Sequence, residues 1–378
     1  MTGRSVRWTA IGCLALLLAA ASGCTASTAR ETPSPQAPTV GPTPSATAGW
    51  WRVGGEVTRL ASRIHTPWSV VPLPGGGALI SSRDDGTVHE LTAAGDLRTA
   101  GVVPGVVSGG ESGLHGLALL SDADDPMLYA YFGSETDNRV VKMPVLGRPG
   151  ELSLGQPEVV IDGIPRASTH DGGRLAFGPD GFLYVTTGDA QQREAAQDAD
   201  ALAGKILRIT VDGEPAPGNP WGNEVWSLGH RNVQGIAWTA DGTMWASEFG
   251  QDTWDELNRI QPGGDYGWPL VEGVAERDGF IDPVAVWATS DASPSGIAAV
   301  GDTVFLAGLR GERLWQVDTH AGALAHDPVA ALDAYGRLRD VVAPGDGSLW
   351  VLTSNTDGRG SPGADDDMLL RVELTVSG

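Results

Sequence analysis

Short apolar runs rich in Val, Ile, Leu and aromatic residues recur along the chain between turns built from Gly, Asp and Pro, and helical patterns are almost absent. One unit repeats: an apolar strand, a tight turn, a second strand with β-branched or aromatic residues, then a loop and a third strand. Six copies can be counted, at Val70 to Leu91, Gly116 to Met143, Arg174 to Ala190, Gly235 to Ile260, Gly296 to Val317 and Asp340 to Val372. Pro179-Asp180-Gly181, Asp241-Gly242 and Asp346-Gly347 supply the positive φ that a hairpin between short strands needs. Each copy therefore reads as a β-meander. A repeat of about 45 to 60 residues with about four strands predicts an all-β fold, a six-bladed β-propeller of four-stranded antiparallel blades. The segment Trp51 to Ala61 is expected to close the ring against the last copy, because closure removes exposed sheet edges. A two-sheet sandwich would not recur in six similar packets.

The N-terminus follows a different pattern. Arg4 and Arg7 precede an apolar stretch, Ile11 to Ala21, too short to span a bilayer comfortably, so residues 1–23 read as an export signal. Ala21-Ser22-Gly23-Cys24 places small residues before a cysteine and resembles a bacterial lipobox; Cys24 would then carry a lipid anchor holding an exported protein on the outer face of a membrane. Plain cleavage nearby is the alternative. Residues 24–49 are almost entirely Thr, Ser, Pro, Ala and Gly and are expected to form an extended tether, with the folded domain over 50–378.

Composition changes this picture in two respects. With 41% apolar and 19% charged residues the chain is an ordinary globular protein, and with only Cys13 and Cys24 the mature protein has no disulfide to rely on. A net charge of −22 argues against nucleic acid as a partner, since phosphate binding is driven by Lys and Arg.

Polar residues on loops at one end of a propeller channel are the functional candidates. Thr169-His170-Asp171-Gly172-Gly173-Arg174-Leu175 is followed one hairpin later by Thr187-Gly188-Asp189, which sets His170 and Asp189 side by side. The pair suits a general base held in one tautomer by a carboxylate, or a loop histidine that satisfies a backbone group. A second cluster, Leu228 to Gly235, offers Arg231 and Asn232. Arg310, Arg337 and Arg339 lie on two further blades, the last two pointing the same way along an extended segment. Four arginines in an acidic protein would bind an anion with several carboxylates, or pair with surface acids such as Asp340. The stretch Glu248 to Asn258, leading to Gly264 to Pro269, combines acidic side chains with Gly-rich carbonyls, hard ligands of the kind calcium takes, or a solvated acidic loop.

Taken together these stretches resemble the glucose/sorbosone dehydrogenase family, the soluble quinoprotein aldose dehydrogenases, over about Thr66 to Val372. The resemblance is carried by GLHGLAL at Gly113, HDGGRLAFGPDGFLYVTTGD at His170, SLGHRNVQG at Ser227 and DELNRIQPGGDYGWP at Asp255. It implies oxidation of an aldose to a lactone with pyrroloquinoline quinone and calcium as cofactors. His170 would be the base, Asp189 its orienting partner, and Arg231 and Asn232 contacts to the quinone oxygens. Arg310, Arg337 and Arg339 would hold cofactor carboxylates. The carbonyls of Gly250 and Gln251 would bind the calcium that sits on the cofactor, and Glu256 with the Tyr266 backbone a second, structural calcium.

Some positions depart from the glucose-oxidising pattern. Glu111, placed among the cofactor-pocket residues, stands where a Gln commonly faces the substrate, Thr169 replaces an acidic neighbour of the base, Gln251 a Pro, and Arg310 a Lys. No C-x-x-C-H haem motif is present, so the electron acceptor would be external. A non-catalytic propeller binding a glycan or protein, and a calcium-dependent lactonase, are the competing expectations.

Overall fold

The computed structural model describes residues 50–121 and 125–377. The export signal, the Cys24 anchor and the tether fall outside these described residues. The strands form six antiparallel sheets arranged as the blades of a propeller, and the 3₁₀ turn Arg193–Gln197 is the helical element among the described residues. Blade one runs through Pro67–Pro72, Ala78–Ser82, Thr87–Leu91 and Leu97–Val102. Blade two begins at Leu114–Leu120, blade three at Leu175–Phe177, blade four at Val233–Trp238 and blade five at Pro294–Val300. Blade six is built from Leu338–Val342, Ser348–Thr353 and Leu369–Ser377, with the N-terminal strand Trp50–Ala61 outermost.

Six hydrophobic clusters occupy the six gaps between neighbouring blades. Leu79, Val88, Leu117 and Leu128 pack between blades one and two, and Ile80, Ile64, Leu352 and Leu369 between blades six and one. Tyr184, Ile206 and Ile236 fill the third gap. Successive residues of a strand face opposite gaps: Leu79 faces one neighbouring blade and Ile80 the other, and Phe305 and Leu306 divide in the same way. A blade is therefore apolar on both faces, which is why its middle strands read as continuous buried runs and not as alternating ones.

The innermost strands meet around the axis through polar contacts. Arg174 donates through Nε to the carbonyl of Gln234 at 2.8 Å and through NH1 to Asp340 Oδ2 at 2.8 Å, and that same oxygen accepts the amide of Val70 at 3.1 Å. Arg339 and Ser295 both donate to Gln234 Oε1 at 3.1 Å. One buried network thus ties blades one, three, four, five and six together.

Ring closure follows the expectation. Trp50 pairs with Ser377, Val57 with Val372 and Ala61 with Leu369. The closing strand is also bound to blade five, through Trp51 N to Thr303 Oγ1 (2.9 Å), Val53 N to Gln316 Oε1 (2.7 Å) and a two-pronged ion pair of Arg52 with Asp318.

Candidate active site

In a meander, the loop entering the innermost strand and the loop joining the second strand to the third open at the same end of the blade. Most of the candidates lie on or beside these two loop types; Glu256 instead sits in the third strand of blade four, Trp254–Ile260, and Tyr266 in the loop that follows it. Glu111, His170, Arg231 and Arg337 precede innermost strands, and Arg339 is the second residue of one. Asp189, Gly250, Gln251, Arg310, Asp357 and Arg359 lie between second and third strands. The repeat itself therefore brings sequence-distant residues to one mouth.

The centre of the mouth is His170. Its Nδ1 lies 2.8 Å from Asp189 Oδ1, and its Nε2 lies 2.9 Å from a guanidinium nitrogen of Arg231. Arginine can only donate, so Nε2 carries the lone pair and Nδ1 the proton given to Asp189. Asp189 is fully buried and accepts two further hydrogen bonds, from the amide of Gln191 at 2.8 Å and from the indole of Trp268 at 2.9 Å. Burial raises its pKa, but these donors and His170 outweigh it, so the carboxyl sits below its ordinary value and stays ionised.

The backbone here is strained. His170, Ala190 and Gln191 all have positive φ, at 64°, 46° and 63°. Three contacts hold that shape: the amide of His170 donates to Glu111 Oε2 at 2.9 Å, its carbonyl accepts Ala190 N at 3.1 Å, and the Asn232 side chain accepts Gly172 N at 3.0 Å. Gly188 must lack a side chain, since a Cβ there would lie 1.8 Å from the carbonyl of His170.

Glu111 has both oxygens engaged, the second by Arg359 at 2.8 Å across the mouth. Burial pushes the carboxyl up, but the His170 amide and Arg359 bring it below its usual range. His115 supports this loop from beneath, with Nε2 2.8 Å from the Glu111 carbonyl.

Beside the base lies a narrow cleft lined by Trp68, Arg83, Glu111, Phe249, Arg339 and Asp357, among others. Arg337 and Arg339 converge on Asp357, at 2.9 and 3.5 Å. Burial works against the charge of Arg339, with Asp357 as the compensating anion, and its Nε is buried without a partner. A buried guanidinium with an unused donor, next to two flat aromatic side chains, is suited to a planar anion. Arg310 is exposed, and it is its neighbour Leu309 that lines the cleft.

A second, smaller cavity adjoins Arg231 and is lined by Glu248, Gly250, Glu256, Tyr266 and Glu272, among others. Burial, and then the neighbouring Glu248 carboxylate, push the pKa of Glu256 upward. Asn258 Nδ2 lies 3.0 Å from Glu256 and 3.3 Å from Glu248. Two carboxylates crowded this way suit a cation between them. Among the described residues no three His, Cys, Asp or Glu side chains gather as a metal site, so a cation here would draw on backbone carbonyls. His230, near Arg231 in sequence, is structural: its ring nitrogens meet Glu248 and Ser227, both at 2.8 Å, and Glu248 in turn accepts the amide of Arg231.

Sequence reasoning missed Trp68, Arg83, Trp268, Asp357, Arg359 and Glu272. Arg83, Asp357 and Arg359 could have been found by the loop rule above, because they occupy the same second-to-third-strand loop as Asp189 in other blades. The two tryptophans carried no such signal.

A propeller whose arginine-lined mouth converges on a tautomer-fixed His–Asp pair is built as a cofactor-dependent enzyme rather than a plain scaffold. The chain belongs to the glucose/sorbosone dehydrogenase family, whose model matches residues 64–371. It is similar to the aldose sugar dehydrogenase of Escherichia coli, at 30% identity over 79% of this chain and 90% of that protein. Quinoprotein glucose dehydrogenase B of Acinetobacter calcoaceticus is 29% identical over 58% of this chain and 54% of its own length. The PQQ-bound aldose sugar dehydrogenase of Streptomyces coelicolor is 51% identical, with a TM-score of 0.82 over 86% of this chain and 99% of that structure.

Proposed function

We propose that this protein oxidises aldose sugars to lactones with pyrroloquinoline quinone and calcium. The observation that carries the reading is the buried, half-satisfied arginine cleft placed directly beside a tautomer-fixed histidine. Arg337 and Arg339, with the partnerless Nε of Arg339, fit the carboxylates of the quinone, and Trp68 and Phe249 fit its planar faces. Arg231 and Asn232 are assigned to its carbonyl oxygens, and Arg310 to the outer edge of the site. The Gly250 and Gln251 carbonyls fit calcium at the quinone, and Glu256 with the Tyr266 backbone fits a second calcium. When bound, the quinone supplies the acceptor for the hydride leaving the anomeric carbon, and calcium polarises it.

The chain's own residues do the rest. Nε2 of His170 takes the proton of the anomeric hydroxyl, and the Asp189 carboxylate stabilises the imidazolium that forms. Arg231 occupies that lone pair in the structure at hand, so the sugar hydroxyl must displace its guanidinium, which keeps contacts to Gln251 Oε1 (3.2 Å) and the Phe249 carbonyl (3.1 Å). Glu111 braces the backbone of the base. Electrons then pass to an external acceptor.

The test is dye reduction by the purified domain with calcium, a broad aldose panel and added quinone. Quinone-dependent turnover that falls at least about 100-fold in His170→Ala is expected. No turnover with any aldose refutes the dehydrogenase reading, and full activity in His170→Ala refutes the assigned base. Envelope attachment through Cys24 is proposed from the sequence alone; Cys24→Ala should move the protein from the membrane to the soluble fraction of cells, and an unchanged distribution refutes it.

A further inference from the structure

The loop that carries Gly250 and Gln251 is held in an unusual way. Glu272, four residues beyond Trp268, sets one carboxylate oxygen, Oε1, against four consecutive backbone amides: Gln251 at 2.8 Å, Asp252 at 3.1 Å, Thr253 at 3.0 Å and Trp254 at 3.1 Å. The amide just before them, Gly250 N, donates to Asp255 Oδ1 at 3.0 Å, and the other oxygen of Asp255 is fixed by Ser293 N at 2.6 Å. Five successive N–H groups are thus turned toward two carboxylates.

The orientation of the amides dictates that of the carbonyls. In a planar trans peptide the C=O of one residue points opposite to the N–H of the next, and the peptides of this loop are trans. With the amides of Gln251 and Asp252 on Glu272, the carbonyls of Gly250 and Gln251 face away from it. A separate contact ties the start of the loop to the site. The carbonyl one step earlier, of Phe249, accepts Arg231 NH1 at 3.1 Å, and Arg231 touches His170. Gly250 itself lines the cavity beside Arg231, together with Phe249, Glu256 and Tyr266.

Steric fit points the same way. A Cβ on Gly250 would lie 1.7 Å from the Trp254 carbonyl and 2.9 Å from Glu272 Oε1, so the loop is drawn tightly onto the carboxylate. The corresponding loop of blade six is held more lightly, with Asp367 taking two consecutive amides, Asn355 N on one oxygen and Thr356 N on the other.

We propose that Glu272 is a positioning residue that presets the carbonyls of Gly250 and Gln251 for a divalent cation, an assignment that rests on the calcium reading above. Without it, four amides must find water, and the cation must order the loop as it binds. Outer partners that orient metal ligands in this way carry about 10- to 100-fold of metal affinity.

The experiment uses chelator-treated full-length protein, Glu272→Ala and Glu272→Gln. Calcium alone is titrated by calorimetry, and repeated in a Glu256→Gln background so that the neighbouring candidate site is silent. Calcium-dependent uptake of pyrroloquinoline quinone is then followed by the absorbance of the quinone. Glu272→Ala is expected to weaken calcium about 10- to 100-fold, and to recover normal quinone uptake at saturating calcium because the arginine cleft is untouched. Glu272→Gln, which keeps an acceptor oxygen, should fall between the two. If Glu272→Ala does not fold, Glu272→Gln decides: weaker calcium binding supports the assignment and unchanged binding overturns it. Wild-type protein that takes up no calcium overturns the calcium reading and this assignment together. Wild type that binds calcium no better than Glu272→Ala overturns the assignment alone.

Discussion

Asp189→Asn changes one atom at the centre of the site, and both orientations of the new amide are frustrated. The carboxylate accepts from three donors: His170 Nδ1 and Gln191 N on Oδ1, and Trp268 Nε1 on Oδ2. With the amide nitrogen on the Trp268 side, two N–H donors face each other in a buried place. With it on the other side, it meets the Gln191 amide and forces Nδ1 of His170 to accept, which moves the ring proton to Nε2 against Arg231, a group that cannot accept. The first orientation wins because it leaves one clash instead of two. The cost is an unmade buried hydrogen bond, about 1–3 kcal/mol, plus the lost charge assistance to His170, about 1 kcal/mol. Thermal or denaturant unfolding should therefore show about 2–4 kcal/mol of destabilisation. Turnover should fall about 10²- to 10⁴-fold, because the imidazolium loses its counter-charge. Trp268→Phe removes the opposing indole N–H, so the double variant Asp189→Asn/Trp268→Phe should be more stable than the sum of the singles by about 1 kcal/mol or more. Additive stabilities, or an Asp189→Asn enzyme within threefold of wild type, would refute the reasoning.

Two further outcomes concern the scaffold. Asp340→Ala leaves Arg174 charged and buried at the axis, and should cost about 3–5 kcal/mol in denaturant unfolding; a loss below about 1 kcal/mol would show that the axial pair is not a structural tie. At the ring closure, burial raises the pKa of Asp318 but Arg52 more than offsets this and holds it below its ordinary value. Its stabilisation is therefore complete above the unfolded aspartate pKa of about 3.9 and lost as the pH falls through the lower folded value. The Tm gap between wild type and Arg52→Met should be constant above about pH 5 and shrink below about pH 4; a gap that grows on acidification would contradict the assignment.

Much of this architecture was legible because a propeller writes itself six times. The Asp-Gly turns and the recurring apolar runs were enough to count blades, and Trp51 to Ala61 was recognisable as the closing strand because it stood outside the six copies. His170 and Asp189 were legible as a pair because one hairpin separates them. Arg337 and Arg339 were readable as same-side residues from strand alternation, and both do reach Asp357. What could not be read was anything that depends on how blades are rotated relative to one another. Trp268 meets Asp189 across 79 residues, and Arg359 meets Glu111 across 248. No local period encodes such contacts. Glu272 was invisible for a different reason: a carboxylate on an irregular loop looks solvated until its four amides are in place.

The closing strand also imposes an order in time. Trp50 emerges early in synthesis, yet its partner in the sheet is Ser377, at the far end of the propeller's sequence. Until that end is made, blade six lacks its outer strand, and the contacts from Trp51 and Val53 to blade five cannot form. A nascent chain can build its hairpins one by one as they emerge, but it cannot be sealed until the strand Leu369–Ser377 is available. The same long-range pairing that makes the ring durable makes its completion a single late event, and a chain truncated by even one C-terminal strand would be left open along a full sheet edge.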